Sequence, residues 1–494
     1  MILDLLGNGN PSHIAVTGYG SNVSYDQLRQ QVQALIHKLN ELGLGRGDRI
    51  AIALPNGLEL IASFLAASAV GAAAPLNPAY RVDEFKFYLE DTGARALIVP
   101  PTGCDEAREA AGDQRLIIDA DLDENGRVRF SSRGTAGPPK ARENPNPDDI
   151  ALVLHTSGTT SRPKRVPLSH RNLMISARNV AGTYQLTDQD VSLCVMPLFH
   201  VHGLVASTLA TLLTGGTVVV PPRFNPLSFW STVRDHHVSW YSAVPTIHQV
   251  LLSRAKEGTK PAGAEQLRFI RSCSSALSPQ TMAGLEERFG APVLEAYGMT
   301  EAAHQMASNP LPPGARKPGS VGCGTAVEIG ILNEAGDLLP PGAIGEVSIK
   351  GPNVFGGYES NAEANAASFT QGWFRTGDQG FLDADGYLIL AGRIKELINR
   401  GGEKISPREV DETLLAHAAV AEACCFGIPD RVYGEEVAAA VVLRSEATEA
   451  ELIEHCRRSL ADFKCPKVIY LVDAIPRTAT GKIQRRNVAA EITK

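Results

Sequence analysis

Residues 156–164 combine hydroxyl side chains, a glycine and two cations in the order TSGTTSRPK. They follow an apolar stretch at 150–154 that predicts a strand. Hydroxyls, backbone N–H groups and positive charge are together what a protein loop offers to a polyphosphate. The composition alone leaves a solvated surface loop open as the alternative. The segment is not a P-loop, because Lys164 follows Pro163 where the P-loop pattern has a glycine.

Five further segments place reactive or charged side chains in a fixed order along the chain. Taken singly, each also fits a turn, a solvated charge or a packing contact. The segments are PLFHVHG (197–203), EAYGMTE (295–301), WFRTGD (373–378), GRIKE (392–396) with NRGGEK (399–404), and TATGKI (478–483).

In this order, the six motifs resemble those of the adenylate-forming superfamily, which includes acyl-CoA synthetases, luciferase-like enzymes and peptide-synthetase adenylation domains. The resemblance extends over nearly the whole chain, to Lys482. It implies that ATP activates a carboxylate as an acyl-adenylate and that the acyl group then passes to the thiol of coenzyme A. ATP, Mg²⁺ and coenzyme A, as co-substrate, are therefore expected. Because the first step joins two anions, such catalysis is mainly charge compensation and positioning.

The resemblance implies roles for individual residues of the nucleotide site. Residues 156–164 would hold the β- and γ-phosphates, Thr300 the α-phosphate, and Glu301 the Mg²⁺ ion. Asp378 would accept hydrogen bonds from the ribose hydroxyls, and Arg393 would contact ribose or phosphate. The full set implied for ATP and AMP is Thr156, Ser157, Gly158, Thr159, Thr160, Lys164, Ser275, Ala276, Glu295, Ala296, Tyr297, Gly298, Thr300, Asp378 and Arg393.

In this superfamily a small C-terminal domain rotates between the two steps, and Lys395 matches the hinge position. Lys482 would bridge the α-phosphate and the substrate carboxylate during the first step. After the rotation, Gly401, Gly402 and Lys404 would bind coenzyme A, since glycines let the backbone approach a thin ligand. The implied catalytic set is Lys482, Thr300, Glu301 and His200.

Two positions differ from patterns that are common in the superfamily. Arg165 follows the loop lysine where many members carry Gly, and it would add charge near the phosphates. Asn399 stands where luciferase-like members tend to carry Lys. The second difference favours the acyl-CoA branch.

The segments that line the acid pocket in this superfamily are polar in this chain. The implied substrate-binding residues are His200, His202, Ser274 and His304. A buried second carboxylate needs charge-assisted donors, because otherwise its desolvation prevents binding. The polar set therefore favours a small acid with a second anionic group.

The segments at 160–164, 201–204, 240–248 and 299–306 resemble those of oxalate–CoA ligases, so oxalate is the expected acid. The alternatives are malonate, a short- or medium-chain fatty acid, and a standalone enzyme that loads a carrier protein. A non-catalytic nucleotide-binding protein is disfavoured, because Lys482 is present in its expected sequence context although ATP binding alone would not require it.

Helix and strand signals alternate along the chain, which predicts an α/β fold with largely parallel sheets. A capping box at Ser24 begins an amphipathic helix that ends at Gly43, a helix is expected at 58–70, and strands are expected at 50–54, 96–99 and 216–220. The resemblance implies a large N-terminal domain (1–392) of parallel and mixed sheets with helices and a β-barrel-like subdomain, a hinge (393–396), and a small mobile α+β C-terminal domain (397–494).

The chain has 494 residues, of which 44% are hydrophobic, so more than one domain is expected. Its net charge of −7 and the lack of a basic tract argue against a nucleic-acid partner. No secretory signal or bilayer-spanning run is visible, and the eight cysteines form no CxxC pair. A cytoplasmic enzyme with reduced thiols, monomeric or homodimeric, is expected.

Overall fold

The structure is a computed structural model that describes residues 1–133, 136–156, 163–256, 258–477 and 483–493. Within these ranges the helices are α1 (Tyr25–Glu41), α2 (Leu58–Val70), α3 (Val82–Thr92), α4 (Asp105–Ala111), α5 (His170–Thr183), α6 (Ala210–Leu213), α7 (Phe229–Asp235), α8 (Pro245–Arg254), α9 (Pro279–Phe289), α10 (Ala362–Ser368), α11 (Pro407–Leu415), α12 (Glu449–Arg457) and α13 (Arg485–Ile492). The strands are β1 (Ile14–Gly18), β2 (Ser21–Ser24), β3 (Arg49–Ile52), β4 (Ala72–Pro75), β5 (Ala96–Val99), β6 (Leu116–Leu122), β7 (Val128–Arg133), β8 (Ile150–Thr156), β9 (Lys164–Ser169), β10 (Val191–Leu193), β11 (Thr217–Val219), β12 (Trp240–Ala243), β13 (Phe269–Ser272), β14 (Val293–Met299), β15 (His304–Ser308), β16 (Cys323–Gly324), β17 (Glu328–Leu332), β18 (Gly345–Lys350), β19 (Phe369–Thr370), β20 (Trp373–Leu382), β21 (Leu388–Arg393), β22 (Ile398–Arg400), β23 (Glu403–Ile405), β24 (Val420–Asp430), β25 (Gly434–Leu443) and β26 (Val468–Leu471). Short 3₁₀ helices include Thr300–Ala302 and Ile394–Glu396, and His202–Leu209 is π-helical.

Two large sheets share the first two thirds of the chain. One has nine strands in the order β16-β15-β14-β13-β12-β10-β11-β1-β2, and the other has seven in the order β7-β6-β5-β3-β4-β8-β9. The inner strands of both sheets are parallel, whereas the edge strands pair antiparallel. This pattern requires helical crossovers between the parallel strands, and the helices cover the faces of the sheets.

Helix α2 is the most deeply enclosed of these helices, because nearly all of its residues are buried. It packs against β3, β4 and β8 of the seven-stranded sheet on one side and against α1 on the other. Its sequence is apolar around the whole circumference rather than on one face, as expected for a helix without a solvent face.

A third sheet is wholly antiparallel and contains β17, β18, β19, β20 and β21. It supplies Asp378 and Arg393, which face each other across β20 and β21. It occupies the part of the chain for which a β-barrel-like subdomain was expected.

A fourth sheet, in the order β23-β22-β25-β24 with β26 beside β25, lies in the last hundred residues. Helices α11, α12 and α13 cover it and enclose two small apolar cores. The expected α/β fold with a mixed helix-and-strand unit at the C-terminus is therefore confirmed. The exact limits of the domains at 392 and 396 stay a prediction.

Several local expectations are confirmed. Ser24 is the N-cap of α1, and its capping box is completed by Gln27. Helix α2 and strand β5 have the expected limits, and the strand expected at 216–220 is one residue shorter at each end. In the described part of the chain, no helix is long and apolar enough to cross a membrane.

Arg485, the first residue of α13, joins three elements of the C-terminal unit. Its Nη2 lies 2.6 Å from Asp411 on α11, and its Nη1 donates to the carbonyl of Cys425 at 2.8 Å. Its Nε lies 3.2 Å from Glu396, in the short helix that precedes the unit. Burial raises the pKa of Asp411, and the guanidinium of Arg485 opposes this shift.

We expect Arg485→Met to lower the free energy of unfolding of the C-terminal unit by about 3 kcal/mol, because it leaves Asp411 buried without its countercharge. Urea denaturation of the full chain measures the change. Arg431→Met is the matched control, since Arg431 is exposed, and it should shift stability by less than about 0.5 kcal/mol. Equal stability of the two variants would contradict this account of Arg485.

Candidate active site

Three of the expected site segments follow strands of the nine-stranded sheet. Strands β10, β12, β13 and β14 are parallel neighbours, so their carboxyl ends lie at the same edge. The segment at 197–203 follows β10, residues 274–276 follow β13, and residues 300–301 follow β14. In open α/β sheets this edge is where ligands bind, so the segments converge at one candidate site.

The hairpin of β14 and β15 brings Glu301 and His304 to this edge. Met299 pairs with His304 across it, and the 3₁₀ turn Thr300–Ala302 forms its tip. Gly298 is required here for steric reasons, because a Cβ at this position would lie 2.1 Å from the carbonyl oxygen of His304. Any side chain at 298 would therefore displace His304.

The backbone is strained beside the expected acid pocket. Ser274, Ala303 and His304 have φ values of 74°, 50° and 120°, although none is a glycine. Such conformations cost of order 1 kcal/mol each and are found mainly where function requires them. Two neighbouring strand ends thus hold their side chains in positions that relaxed backbone would not give.

The polar residues expected to bind the acid are in contact with one another. His202 Nδ1 lies 3.0 Å from Ser274 Oγ, and its Nε2 lies 2.6 Å from Ser242 Oγ. The rings of His202 and His304 are 5.3 Å apart, and both residues are buried. Since both nitrogens of His202 have protein partners, this residue orients its neighbours rather than facing the acid alone.

His200 precedes the π-helical segment and is only partly buried. Its carbonyl accepts a hydrogen bond from Leu204, and its ring lies 4.8 Å from that of Phe199. Gly203 allows the segment to pack closely, because a Cβ there would lie 2.5 Å from the carbonyl oxygen of Pro197. His200 therefore stands at the rim of the polar cluster and His202 inside it.

Glu301 is a buried carboxylate with a hydroxyl partner. Tyr358 Oη donates to its Oε1 at 2.8 Å. Burial raises the pKa of Glu301, while the hydrogen bond from Tyr358 and the charges of Arg393 and Lys164 lower it. The Lys164 ammonium lies 4.4 Å from the centre of the Tyr358 ring. Tyr358 thus holds together the acidic and the basic residue of this part of the site.

The carboxylate of Glu301 is the type of ligand that Mg²⁺ prefers. In the described residues, no three His, Cys, Asp or Glu side chains form a group that could hold a metal ion. Mg²⁺ in ATP-dependent enzymes usually takes one or two carboxylates together with substrate phosphates and water, not a cage of protein ligands. Glu301, a single buried carboxylate near the charge of Lys164, meets that requirement.

Asp378, Arg393 and Tyr297 form a second charged group. Arg393 Nε lies 3.0 Å from Asp378 Oδ1, and the Tyr297 hydroxyl donates to Asp378 Oδ2. Asp378 is buried, whereas half of the Arg393 side chain is exposed. Burial and the Asp378 carboxylate raise the pKa of Tyr297, so its hydroxyl stays protonated and continues to donate.

Glu295 and Ala296 contribute to the frame of the site. Glu295 Oε1 accepts a hydrogen bond from the Leu277 N–H at 3.0 Å, which fixes the segment that contains Ser275 and Ala276. Burial raises the pKa of Glu295 to about 7. Ala296 pairs with Ser308 inside the hairpin, while Ser275 and Ala276 are exposed at the edge.

The ends of the expected phosphate loop lie side by side. Thr156 at the end of β8 pairs with Lys164 at the start of β9. Desolvation lowers the pKa of Lys164, as does the charge of Lys395, and Glu301 opposes this. Ser157, Gly158, Thr159, Thr160 and Lys482 lie outside the described residues.

Arg165, the second residue of β9, has two carboxylate partners. Its Nε lies 3.4 Å from Asp91 and 3.4 Å from Glu359, and its carbonyl accepts a hydrogen bond from the Glu359 N–H. Asp91 also lies 2.9 Å from Nε2 of His155, and Arg49 pairs with Glu359. Arg165, whose charge was expected to lie near the phosphates, thus connects β9 to the segment that contains Tyr358.

The residues expected to bind coenzyme A lie at the turn between β22 and β23. Gly401, Gly402 and Lys404 are exposed there, and the Gly401 N–H donates to the carbonyl of Tyr433 at 2.8 Å. Lys395, in the short helix before β22, is exposed and close enough to Lys164 to depress its pKa.

Arg271, Ser242 and Tyr358 belong to the site but were missed in the sequence. Arg271 had a visible signal, since it is a charged residue inside the apolar strand FIRS. Ser242 and Tyr358 had none, because a serine in a strand and a tyrosine after two glycines are both ordinary.

Two family models match the chain. The model described as AMP-binding enzyme matches residues 6–359, and the model described as AMP-binding enzyme C-terminal domain matches residues 409–482.

The chain is similar to curated proteins over almost its whole length. It is 49% identical to a probable CoA ligase of Humulus lupulus, covering 95% of this chain and 91% of that protein. It is 47% identical to an oxalate–CoA ligase of Arabidopsis thaliana, covering 95% of this chain and 93% of that protein.

The fold is similar to solved structures. ATP-bound MatB from Rhodopseudomonas palustris matches with a TM-score of 0.89 at 31% identity, over 99% of this chain and 98% of that one. The o-succinylbenzoate–CoA synthetase of Bacillus subtilis, in complex with ATP and magnesium, matches with a TM-score of 0.85 at 31% identity, over 99% and 98% of the two chains.

We expect Tyr358→Phe to shift the acid limb of the pH–rate profile to higher pH. The substitution removes a hydrogen bond that lowers the pKa of Glu301, so the carboxylate becomes protonated at a higher pH. Activity that needs the ionised carboxylate is present above this pKa and is lost as the pH falls through it. Pyrophosphate release measured from acid to alkaline pH should show the shift with the alkaline plateau retained.

The matched control is Tyr387→Phe, whose hydroxyl donates to the carbonyl of Ala315 rather than to a carboxylate. Its acid limb should coincide with that of the unaltered enzyme. If the limb of Tyr358→Phe also coincides with it, Tyr358 does not control the charge of Glu301.

Proposed function

The chain belongs to the AMP-binding enzyme family, and on that premise we propose that it joins oxalate to coenzyme A at the expense of ATP, through oxalyl-adenylate and with release of pyrophosphate and AMP. The observation that carries the choice of acid is the polar wall of His202, Ser274 and His304 in contact with the buried cation Arg271. A fatty or aromatic acid would need apolar side chains at these positions. The 47% identity to an oxalate–CoA ligase over almost the whole chain supports the same acid.

In the first step, a carboxylate oxygen of oxalate attacks the α-phosphorus of ATP. A bond forms between this oxygen and phosphorus, and the bond from phosphorus to the oxygen of the leaving pyrophosphate breaks. Lys164 and residues 156–160 hold the departing phosphates, and the Thr300 hydroxyl donates to the α-phosphate. Lys482 bridges the two reacting groups. Mg²⁺ held by Glu301 supplies further charge compensation at the phosphates when it is bound.

The nucleoside is held by the third sheet. Asp378 accepts hydrogen bonds from the ribose hydroxyls, and Arg393 forms an ion pair with the same carboxylate. Tyr297 orients Asp378 through its hydroxyl. Because Asp378 already has two donors in the protein, it is preorganised before the nucleotide binds.

In the second step, the thiol of coenzyme A loses its proton and attacks the acyl carbon of the adenylate. A carbon–sulfur bond forms, the bond from that carbon to the AMP oxygen breaks, and AMP leaves with the electron pair. Rotation of the C-terminal unit about Lys395 withdraws Lys482 and presents Gly401, Gly402 and Lys404 to the thiol-bearing arm. The exposed turn between β22 and β23 supports this role. A cytoplasmic location and the oligomeric state stay predictions.

A panel of acids tests the proposal. The kcat/KM for AMP formation that depends on coenzyme A should be highest with oxalate, lower with malonate and acetate, and lowest with octanoate and 4-coumarate. The polar wall disfavours the last two, since it gives their apolar groups nothing to pack against. Preference for octanoate or 4-coumarate would refute the assignment. Activity that requires a carrier protein in place of free coenzyme A would support the loading enzyme instead.

His304→Asn tests the acid pocket separately from the nucleotide site. Asparagine tolerates positive φ better than most residues, so the variant can retain the turn. We expect kcat/KM for oxalate to fall by at least about tenfold, and that for acetate to fall much less, because only oxalate has a second carboxylate to lose its donor. Equal losses for the two acids would show that His304 has only a structural role.

A further inference from the structure

A fully buried arginine lies behind the acid pocket. Arg271 is in strand β13, pairs in register with Ser242 of β12, and has an exposed fraction of 0%. An arginine side chain is protonated at every pH at which a protein is folded. A complete positive charge is therefore enclosed at the carboxyl edge of the nine-stranded sheet.

The partners of this charge are neutral. The guanidinium donates from Nε to Tyr184 Oη at 2.8 Å, from Nη1 to Ser242 Oγ at 2.9 Å and from Nη2 to Gln305 Oε1 at 3.0 Å. His304 Nδ1 lies 3.4 Å from Nη2. Within the described ranges no carboxylate forms an ion pair with Arg271. A buried charge without a countercharge is costly, so the pocket in front of it favours an anion.

The residue just before this strand is a contrasting case. Arg268, which precedes β13, pairs with the buried carboxylate of Asp190. Its charge is thus neutralised within the protein. Among the described residues, Arg271 has no such carboxylate partner, and it contacts the acid-pocket residue His304 instead.

One hydrogen-bond chain runs from Arg271 to the pocket. A guanidinium can only donate, so Ser242 Oγ accepts from it. We assign to His202 the neutral tautomer with its proton on Nδ1. In this tautomer Ser242 Oγ donates to His202 Nε2, 2.6 Å away, and Nδ1 donates to Ser274 Oγ at 3.0 Å. Ser274 then has its own hydroxyl proton left to donate. Every proton in the chain therefore points away from Arg271 and toward the pocket.

Ser274 is in a position to use that proton on a ligand. It is only half-buried, and it lies two residues after the buried end of β13. Its φ of 74° is unusual for a serine and aims the residue differently from an extended continuation of the strand.

We propose that Arg271 makes the pocket selective for a dianionic acid by polarising the chain through Ser242 and His202, so that the Ser274 hydroxyl donates to the second carboxylate. The inference rests on the proposed function and names the residue that sets its specificity. Arg271 is a positioning residue: it acts through the chain and through its charge, and does not itself bind the acid. A buried cation at short range is sufficient for a preference on the order of tenfold or more.

Oxalate and oxamate separate charge from shape. Oxamate, the monoamide of the same acid, has nearly the same size but carries one negative charge where oxalate carries two near neutral pH. The measurement is kcat/KM for each acid, from AMP formation by the full chain with ATP, Mg²⁺ and coenzyme A. We expect Arg271→Met to lower the oxalate-to-oxamate ratio by about tenfold, mainly by raising KM for oxalate. If both acids lose activity equally, Arg271 has only a structural role and the proposal is overturned.

Three further variants distinguish charge from packing. Arg271→Lys keeps the charge, so it should retain the preference for oxalate even where total activity falls. Tyr184→Phe removes a neutral partner of Arg271 and leaves both its charge and Ser242 in place, so the ratio should not change. Ser242→Ala breaks the first link of the chain and should lower the ratio, which also provides the test if Arg271→Met does not fold. If Ser242→Ala leaves the oxalate-to-oxamate ratio unchanged, the proposal that Arg271 acts through Ser242 and His202 is overturned.

The unaltered enzyme separates this inference from the proposed function. If it prefers oxalate and Arg271→Met keeps that preference, only the role of Arg271 is refuted. If it uses oxamate as well as oxalate, selection of a dianion is refuted. If it uses neither acid, the proposed function fails and this inference fails with it.

Discussion

The site depends on buried charges that need partners in fixed positions. Glu301 and Asp378 are both largely out of water, where an unpaired carboxylate is costly. Tyr358 and Tyr297 each donate a hydroxyl to one of them. Both carboxylates thus keep an orientation before any nucleotide arrives, which is what positioning and charge compensation require.

Sheet topology explains why these groups meet. The nine-stranded sheet places β12 between β10 and β13, so residues about 30 to 40 positions apart in sequence become neighbours. The contacts of Ser242 with both His202 and Arg271 follow directly from this strand order. In the seven-stranded sheet, β8 and β9 pair at the two ends of the segment that is expected to bind phosphate. Arg165 then ties β9 to the segment of Tyr358 through Glu359.

The sequence was sufficient for the local elements and for the motifs, because both depend on short-range patterns. The capping box at Ser24 and the apolar limits of α2 needed only neighbouring residues. The partners of Arg165 could not be predicted, because Asp91 lies far before it in the sequence and Glu359 far after it. The partners of Arg271 are likewise distant from it in the sequence. The same is true of the hydroxyl of Tyr358, which reaches Glu301 from 57 residues away. Strand order and side-chain direction decide such contacts, and neither is contained in a local pattern.

A single hairpin carries residues expected to act on different ligands. Strands β14 and β15 have Glu301 at their tip and His304 just beyond it, so the residue expected to hold Mg²⁺ and a residue expected to bind the acid are three positions apart. The close approach at Gly298 and the strained φ of His304 hold this separation. A substitution that relaxes the hairpin would therefore move the Glu301 and His304 side chains together. The strain persists because Arg271 and Asn353 anchor this segment from the core, through Gln305 and through the carbonyl of Ala302.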